Sequence, residues 1–502
     1  MPEFSGRPED VLLLGVDAGQ TVTKACVFDA DGQEQGSGSA RVDVASPHPH
    51  WVERDMEEVW QATATAIRAA LDDARTPGER IVAVGIVGHN DGLYLVDHAG
   101  HPARAAVTAM DTRAHDVLDA WRTTPMWARV LDVTGQVPFA GSPSTLLAWF
   151  ARHDPQMLDR TRWVLFCKDW LRFRLTGAVA TDPSEASAAF TSVRTQDYTD
   201  EALGLYDLTM MAGKLPPLRP SQAIAGEVSA HGATATGLAA GTPVVTGAHD
   251  VDGSAVGTGA VRPGMLSLAA GTFSINQVVS ADVVLDERWQ ARSFVQPGRW
   301  LNMSTSASSA TNLDWWRVSF GLPADESAYS LLEREVAGAL EGPSTLLYHP
   351  FLYGSPYGET ASAGLLGLRG WHRRADVVRA VLEGVVLGHR VHVDALRDGF
   401  ALSGPVRLTG GAARSSVWSQ IFADALDVEI EVPDCAETGA RGAALLAGLG
   451  TGVYADLDEA ADTVTIARRY HPVSARTSVL NDAYGRFVAA AASLNEVWRG
   501  LG

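Results

Sequence analysis

Residues 11–28 read VLLLGVDAGQTVTKACVF, and residues 265–279 read MLSLAAGTFSINQVV. Each is a short apolar run, a glycine-bearing turn and a second run rich in apolar residues, which is the pattern of strand, tight turn, strand. The two stretches agree in pattern more than in letters, and one stands near the head of each half of the chain. That echo predicts two similar α/β domains. With 502 residues the chain is too long for one ordinary core, so two large domains with a cleft between them are the first expectation.

Working outward from the first stretch, Asp31-Gly32 marks a further hairpin turn, so the chain opens as a β-meander. In HWVERDMEEVWQATATAIRAALDDA (50–74), Asp55 can cap a helix, with Glu58 at the capping-box position. Met56, Val59, Trp60, Ala64, Ile67 and Leu71 then form its apolar stripe. IVAVGIVG (81–88) reads as a buried strand that ends on the polar cluster His89-Asn90-Asp91. The Pro- and Gly-rich segment 215–243 puts the domain boundary near residue 245. Beyond it, PVRLTGGAARSSVWSQIFADAL (405–426) is strand, Gly-Gly turn and helix, and the stretch 477–498 is a terminal helix packed back on the body.

Composition removes several classes of function. A net charge of −19 with no Lys/Arg-rich run argues against a nucleic-acid surface or a polybasic membrane anchor. Three cysteines without CxxC spacing suggest neither a disulfide framework nor a zinc site, which fits a reducing cytoplasm. No apolar run reaches the roughly 18 residues of a membrane span. Small molecules are the expected partners, and a homodimer is left open.

Phosphoryl transfer needs backbone cradles for phosphate, a magnesium site and a carboxylate near the nucleophile, and the sequence offers candidates for each. Asp17 and Gly19, with Thr21, Thr23 and Lys24, form the first turn; Gly271, Thr272 and Ser274 form its echo. Either turn alone also suits a hairpin with no ligand, but two at matching positions favour phosphate. No Walker loop is present. Gly410 and Gly411 lie between a strand and a helix that starts near Ser415, where helix amides favour anions, or where the glycines simply make a tight connection. Asp250, after the strand PVV and before a Gly-rich helix, is either a general base at a strand end or a helix N-cap. His89, Asn90, Asp91, Asp111 and Arg113 supply short polar groups for a sugar, although Asp111 and Arg113 can equally be a structural ion pair.

Taken together, these segments resemble the FGGY carbohydrate kinases from about residue 11 to about residue 455. The resemblance rests on Asp17, Gly19, Thr21 and Lys24; on WVERDMEEVW (51–60); on Asp111 and Arg113; and on Lys168, Asp169, Leu171 and Leu175-Thr176-Gly177. It continues through TGLAAGTPV (236–244) with Asp250, and through Gly410, Gly411, Trp418, Gln420, Ala423 and Asp424 to GARGAALLAG (439–448). It implies two ribonuclease H-like domains of the actin and hexokinase superfamily with ATP in the interdomain cleft. Residues 1–245 would form the sugar-binding domain and 246–502 the nucleotide-binding domain with its terminal helix.

It further implies Mg-ATP against Gly19, Thr21, Thr23, Lys24, Gly271, Thr272, Ala310, Asp314, Gly410, Gly411 and Ser415. Asp17 and Asp250 would stand near the metal, and Asp250 would also act as the base. Within the family, SPHPHWVERDMEEVW (46–60), SSATNLDWW (308–316) and HPFLYGS (349–355) look most like the L-xylulose kinase branch, with erythritol and D-xylulose kinases next. Asn90 and Asp91 stand where glycerol kinases have an Arg-Glu pair, which argues against glycerol. A non-catalytic nucleotide- or sugar-binding regulator on the same fold is the rival reading.

Overall fold

The computed structural model describes residues 11–322, 326–340, 342–358 and 360–501. It forms two compact units that are not contiguous in sequence. The first takes the chain up to Arg262 together with Val279–Leu301 and Glu437–Val464; the second takes Pro263–Val278, Asn302–Ala436 and the chain from Thr465 onward.

The first unit opens as the predicted meander, with antiparallel strands Leu12–Ala18, Val22–Asp29 and Glu34–Arg41. Strand Leu12–Ala18 then pairs in parallel with Ile81–Gly88, setting Gly15 opposite Gly85 and Asp17 opposite Val87. Parallel strands covered on both faces must be apolar nearly throughout, and Leu13, Leu14, Val16, Val84, Ile86 and Val87 are all buried. Beyond Ile81–Gly88 lie Pro243–Val245 and then Ile224–Glu227. The helix Met56–Asp73 is capped by Asp55, whose carboxylate accepts from the Glu57 and Glu58 amides, and its whole predicted stripe is buried. It packs on the two outer strands of the meander.

The helix Thr438–Thr451 lies across strands Leu12–Ala18 and Ile81–Gly88 and against the helix Asp250–Gly257. Its approach is close enough to exclude side chains. A Cβ built on Gly15 would lie 1.8 Å from the Ala440 carbonyl oxygen, one on Gly85 1.9 Å from that of Ala443, and one on Gly442 1.8 Å from that of Gly253. The run GARGAALLAG is therefore a packing surface, read by glycine on both sides of the contact.

The second unit repeats the same local plan. Strands Leu266–Ala270 and Ser274–Ser280 make a hairpin, and Leu266–Ala270 pairs in parallel with Val406–Thr409. Val406–Thr409 pairs with Ile430–Pro433, which carries Ile466–Tyr470 antiparallel at its edge. The long helix Arg374–Gly399, the helix Ser416–Leu426 and the terminal helix Ser474–Leu501 pack together. Phe487 of the terminal helix is fully buried, in ring contact with His349 and Phe351.

Candidate active site

In the first unit, the short strand Ala248–His249 runs parallel to the end of Ile81–Gly88 and delivers Asp250 as the first residue of the helix Asp250–Gly257. His249 occupies the N-cap position and its side chain makes no cap bond; the Asp250 carboxylate itself accepts from the Val251 amide of the first turn. Its side chain keeps 30% of its surface open, and one carboxylate oxygen accepts from His249 Nε2 at 3.0 Å. Burial pushes the carboxyl up, but the charge and hydrogen bond of His249 outweigh it and hold Asp250 below its ordinary range. Asp250 is thus ionised at neutral pH. Asp17 goes the other way: burial, and next the charge of Asp250, push it up to about 7, with Lys24 pulling against them. Two carboxylates that repel one another across a partly open site are what a cation would relieve.

Among the described residues, no three or more His, Cys, Asp or Glu side chains form a metal cage. Asp17 and Asp250 fit the alternative, in which Mg²⁺ is held by one or two carboxylates and completes its shell with substrate phosphate and water. The other residues of the first turn fall into separate places. Gly19 closes the turn, donating its amide to the Val22 carbonyl at 3.2 Å, and Thr21 is exposed beside it. Thr23 is buried at 1% exposure, because it sits on the inward side of its strand, so its hydroxyl does not face solvent at the turn. Lys24 Nζ is engaged by Glu437 Oε2 at 2.6 Å.

The sugar candidates also divide. Both ring nitrogens of His89 are used: Nδ1 donates to the Ala18 carbonyl at 3.0 Å, and Nε2 accepts from the Tyr94 hydroxyl at 3.1 Å. Burial, then the Arg54 charge, depress this ring to about 4, so it is a neutral brace between Ala18 and Tyr94. Asn90 Nδ2 donates to the Glu185 carbonyl at 3.3 Å. Asp111 and Arg113 are a buried bidentate pair, at 2.8 Å from Nε and 2.7 Å from Nη2. The second Asp111 oxygen also accepts from the Val52 amide at 2.7 Å, and Arg113 lies 3.8 Å from the centre of the Trp51 ring. Asp111 and Arg113 thus form an ion pair, and Arg113 Nη1 is left without a hydrogen-bond partner. Asp91 stays partly open, with a left-handed backbone (φ 58°) that aims its carboxylate at Arg292.

In the second unit, Gly271 and Thr272 form the hairpin turn, with Thr272 exposed and Ser274 buried at the start of the following strand. The Ala310 amide donates to the Gly271 carbonyl at 2.9 Å. Gly410 meets the same turn from the other side. Its φ of 85° is one that side chains rarely adopt, and a Cβ there would lie 2.7 Å from the Ala270 carbonyl. Ala310, Asp314, Gly411 and Ser415 line one cavity of about 350 Å³, walled on its apolar side by Leu382 and Trp418. Ser415 Oγ caps the helix Ser416–Leu426 by accepting from the Trp418 amide at 3.0 Å. A planar base in an apolar slot with phosphates toward glycine turns suits this arrangement.

The sequence reading missed four residues that the structure brings to these places: His249, Arg292, Glu437 and His389. His389 ties the second site together, since Nδ1 donates to Asn276 Oδ1 at 2.7 Å and Nε2 accepts from Ser309 Oγ at 2.9 Å. Burial, then the charge of His392, hold it down to about 3. An unfolded histidine titrates near pH 6.5, so the stability this neutral ring contributes is complete above that pH and is lost as pH falls toward the folded value. Between about pH 7.5 and 5.5, the parent chain is expected to lose about 1.4 kcal/mol more unfolding free energy than His389→Gln. Denaturant titrations at the two pH values check this; equal losses would unlink the ring from acid stability.

A two-unit α/β fold with two glycine-bearing hairpin turns and a partly open strand-end carboxylate suits a class, the phosphotransferases that act on small molecules. The chain belongs to the FGGY family of carbohydrate kinases: residues 12–257 match the family's N-terminal domain and residues 267–451 its C-terminal domain. It is therefore a carbohydrate kinase, a phosphotransferase with an alcohol group as acceptor. It is 34% identical over 457 residues to the L-xylulose/3-keto-L-gulonate kinase of Escherichia coli (strain K12), covering 89% of this chain and 90% of that one. It is 29% identical over 522 residues to the erythritol kinase of Brucella abortus (strain 2308), covering 98% of each. Among solved structures, the xylulose kinase from Rhodospirillum rubrum superposes with a TM-score of 0.87 at 27% identity, over 97% of this chain and 100% of that one. Among the described residues, no helix is long and apolar enough to cross a membrane.

Proposed function

We propose that this kinase transfers the terminal phosphoryl group of Mg-ATP to a hydroxyl of a ketopentose such as L-xylulose, in the cytoplasm, with Asp250 as general base. The observation that carries the reading is the ionised Asp250 carboxylate at a strand end, held by His249 at 3.0 Å with 30% of its side-chain surface open. Asp250 accepts the hydroxyl proton as the phosphoryl group arrives, and His249 keeps the carboxylate oriented while it does so. Bound Mg²⁺ would offset charge on the phosphates, with Asp17 and Asp250 as its protein ligands. The turns at Gly271-Thr272 and Gly410-Gly411, with Ala310, Asp314 and Ser415, bind and orient the nucleotide.

The relative at 34% identity is named for both L-xylulose and 3-keto-L-gulonate, relatives named probable L-xylulose kinase support L-xylulose, and relatives named erythritol kinase and xylulose kinase keep erythritol and D-xylulose or ribulose as the second choice. An ATP-consumption assay with magnesium against L-xylulose, D-xylulose, L- and D-ribulose, erythritol, xylitol and glycerol tests the reading. L-Xylulose is expected to show the highest kcat/KM. A higher value for erythritol or D-xylulose would move the assignment to that branch, and silence on every sugar with ATP still bound would favour the regulator.

A further inference from the structure

Arg292 sits in the strand Gln290–Ser293, within the segment that the later half of the chain returns to the first unit. Its side chain is 2% exposed. Nη2 donates to both oxygens of Asp91, at 3.1 and 3.0 Å, and to Gln290 Oε1 at 2.8 Å, while Nε donates to Gln136 Oε1 at 3.2 Å. Nη1 is buried and has no partner. The guanidinium charge also acts on Asp252, two residues beyond Asp250. Both carboxyl oxygens of Asp252, and both of Glu185 in the helix Pro183–Ala186 that contacts the strand Gln290–Ser293, are buried and without hydrogen-bond partners, although His249 Nδ1 lies 3.6 Å from Asp252 Oδ2. A buried polar atom left unmatched forfeits its hydration with nothing in return, so such a cluster points to a ligand that brings both donors and acceptors.

Hydroxyl groups are that ligand chemistry, because each can accept from Nη1 and donate to a carboxyl oxygen. A carboxylate matches only the donor. It would also meet a guanidinium whose charge Asp91 already offsets. Resting on the sugar-kinase reading above, we propose that Arg292 and Asp91 form a specificity-determining pair that admits an uncharged polyhydroxy substrate and rejects a sugar acid of similar shape. The pair selects as much by repulsion of the wrong substrate as by attraction of the right one.

The test compares L-xylulose with 3-keto-L-gulonate, a keto sugar carrying a carboxylate, by initial rates at saturating Mg-ATP and by calorimetric binding. The parent chain is expected to prefer L-xylulose. Asp91→Asn keeps the side-chain shape and removes the counter-charge, so the kcat/KM ratio should move at least about tenfold toward the acid, chiefly through KM. Arg292→Lys keeps the charge but loses the fork, and is expected to raise KM for L-xylulose about tenfold or more with a smaller change in kcat. A parent chain that prefers the acid, or an Asp91→Asn ratio that does not move in a protein with an unchanged melting curve, overturns the proposal. If Asp91→Asn fails to fold, an unchanged KM in Arg292→Lys overturns it instead. Binding of neither probe to the parent chain also contradicts the subsite. Binding without turnover of any sugar would fault the kinase reading and leave the binding preference to decide the pair.

Discussion

Asp250→Asn is expected to bind ATP and sugar much as the parent chain does and to lose about 10²–10⁴-fold in kcat, the range that a positioned general base contributes. At the middle of that range, the loss corresponds to about 4 kcal/mol of transition-state stabilisation. The expectation follows from geometry. Asn keeps the size of the side chain and an oxygen that can face His249 Nε2, so the turn between strand Ala248–His249 and helix Asp250–Gly257 keeps its packing. What disappears is the ability to take a proton. Asp17, which burial and the Asp250 charge together raise to about 7, does not substitute, because its carboxyl stands hard against the helix Thr438–Thr451, where a Cβ on Gly439 would lie 2.2 Å from Asp17 Oδ2. Rate measurements with calorimetric titration of both ligands check the prediction. An equal loss of binding and turnover would make Asp250 a structural residue, and retained turnover would remove it from the chemistry.

Gly442→Ala is the second large effect. The added methyl would fall 1.8 Å from the Gly253 carbonyl oxygen, and that atom belongs to the helix Asp250–Gly257, which cannot yield without moving Asp250. Overpacking against backbone costs typically about 1–3 kcal/mol, and more where nothing flexible can give way. We expect a loss of about 3 kcal/mol in unfolding free energy, together with a fall in kcat, because the same shift displaces the base. Gly485→Ala supplies the contrast. It is also helical, in Ser474–Leu501, but has nothing within 4 Å of the added carbon, so the change should stabilise by up to about 1 kcal/mol through helix propensity. Denaturant melts of both variants check the pair; a harmless Gly442→Ala would mean that the helix-on-helix contact is looser than described.

The elements legible in the sequence were those whose signals are local. The apolar runs 11–18 and 81–88, the Asp55 cap with its helical stripe, and the echo between the two hairpins each needed only a dozen residues to read, and each stands in the structure where it was expected. Asp250 was legible for the same reason, as a carboxylate between an apolar strand and a small-residue helix. What the sequence could not display were partners supplied from far along the chain. Lys24 looks like a free cation until Glu437 arrives from 413 residues away, and Thr23 looks like a turn hydroxyl until strand alternation turns it inward. Arg292 carries no motif and reaches Asp91 only because residues 279–301 return to the first unit. His389 is hidden within the apolar helix Arg374–Gly399, and only the folded chain shows Asn276 and Ser309 bonded to it.

Phosphorylation of a small neutral sugar is the activity proposed for this chain. It is tested most directly by incubating the purified protein with magnesium, ATP and L-xylulose and following the products by phosphorus NMR. ADP and a sugar phosphate monoester are expected to appear together in equal amounts. ADP with inorganic phosphate alone, or no ADP with this sugar or any other of the panel, would contradict it.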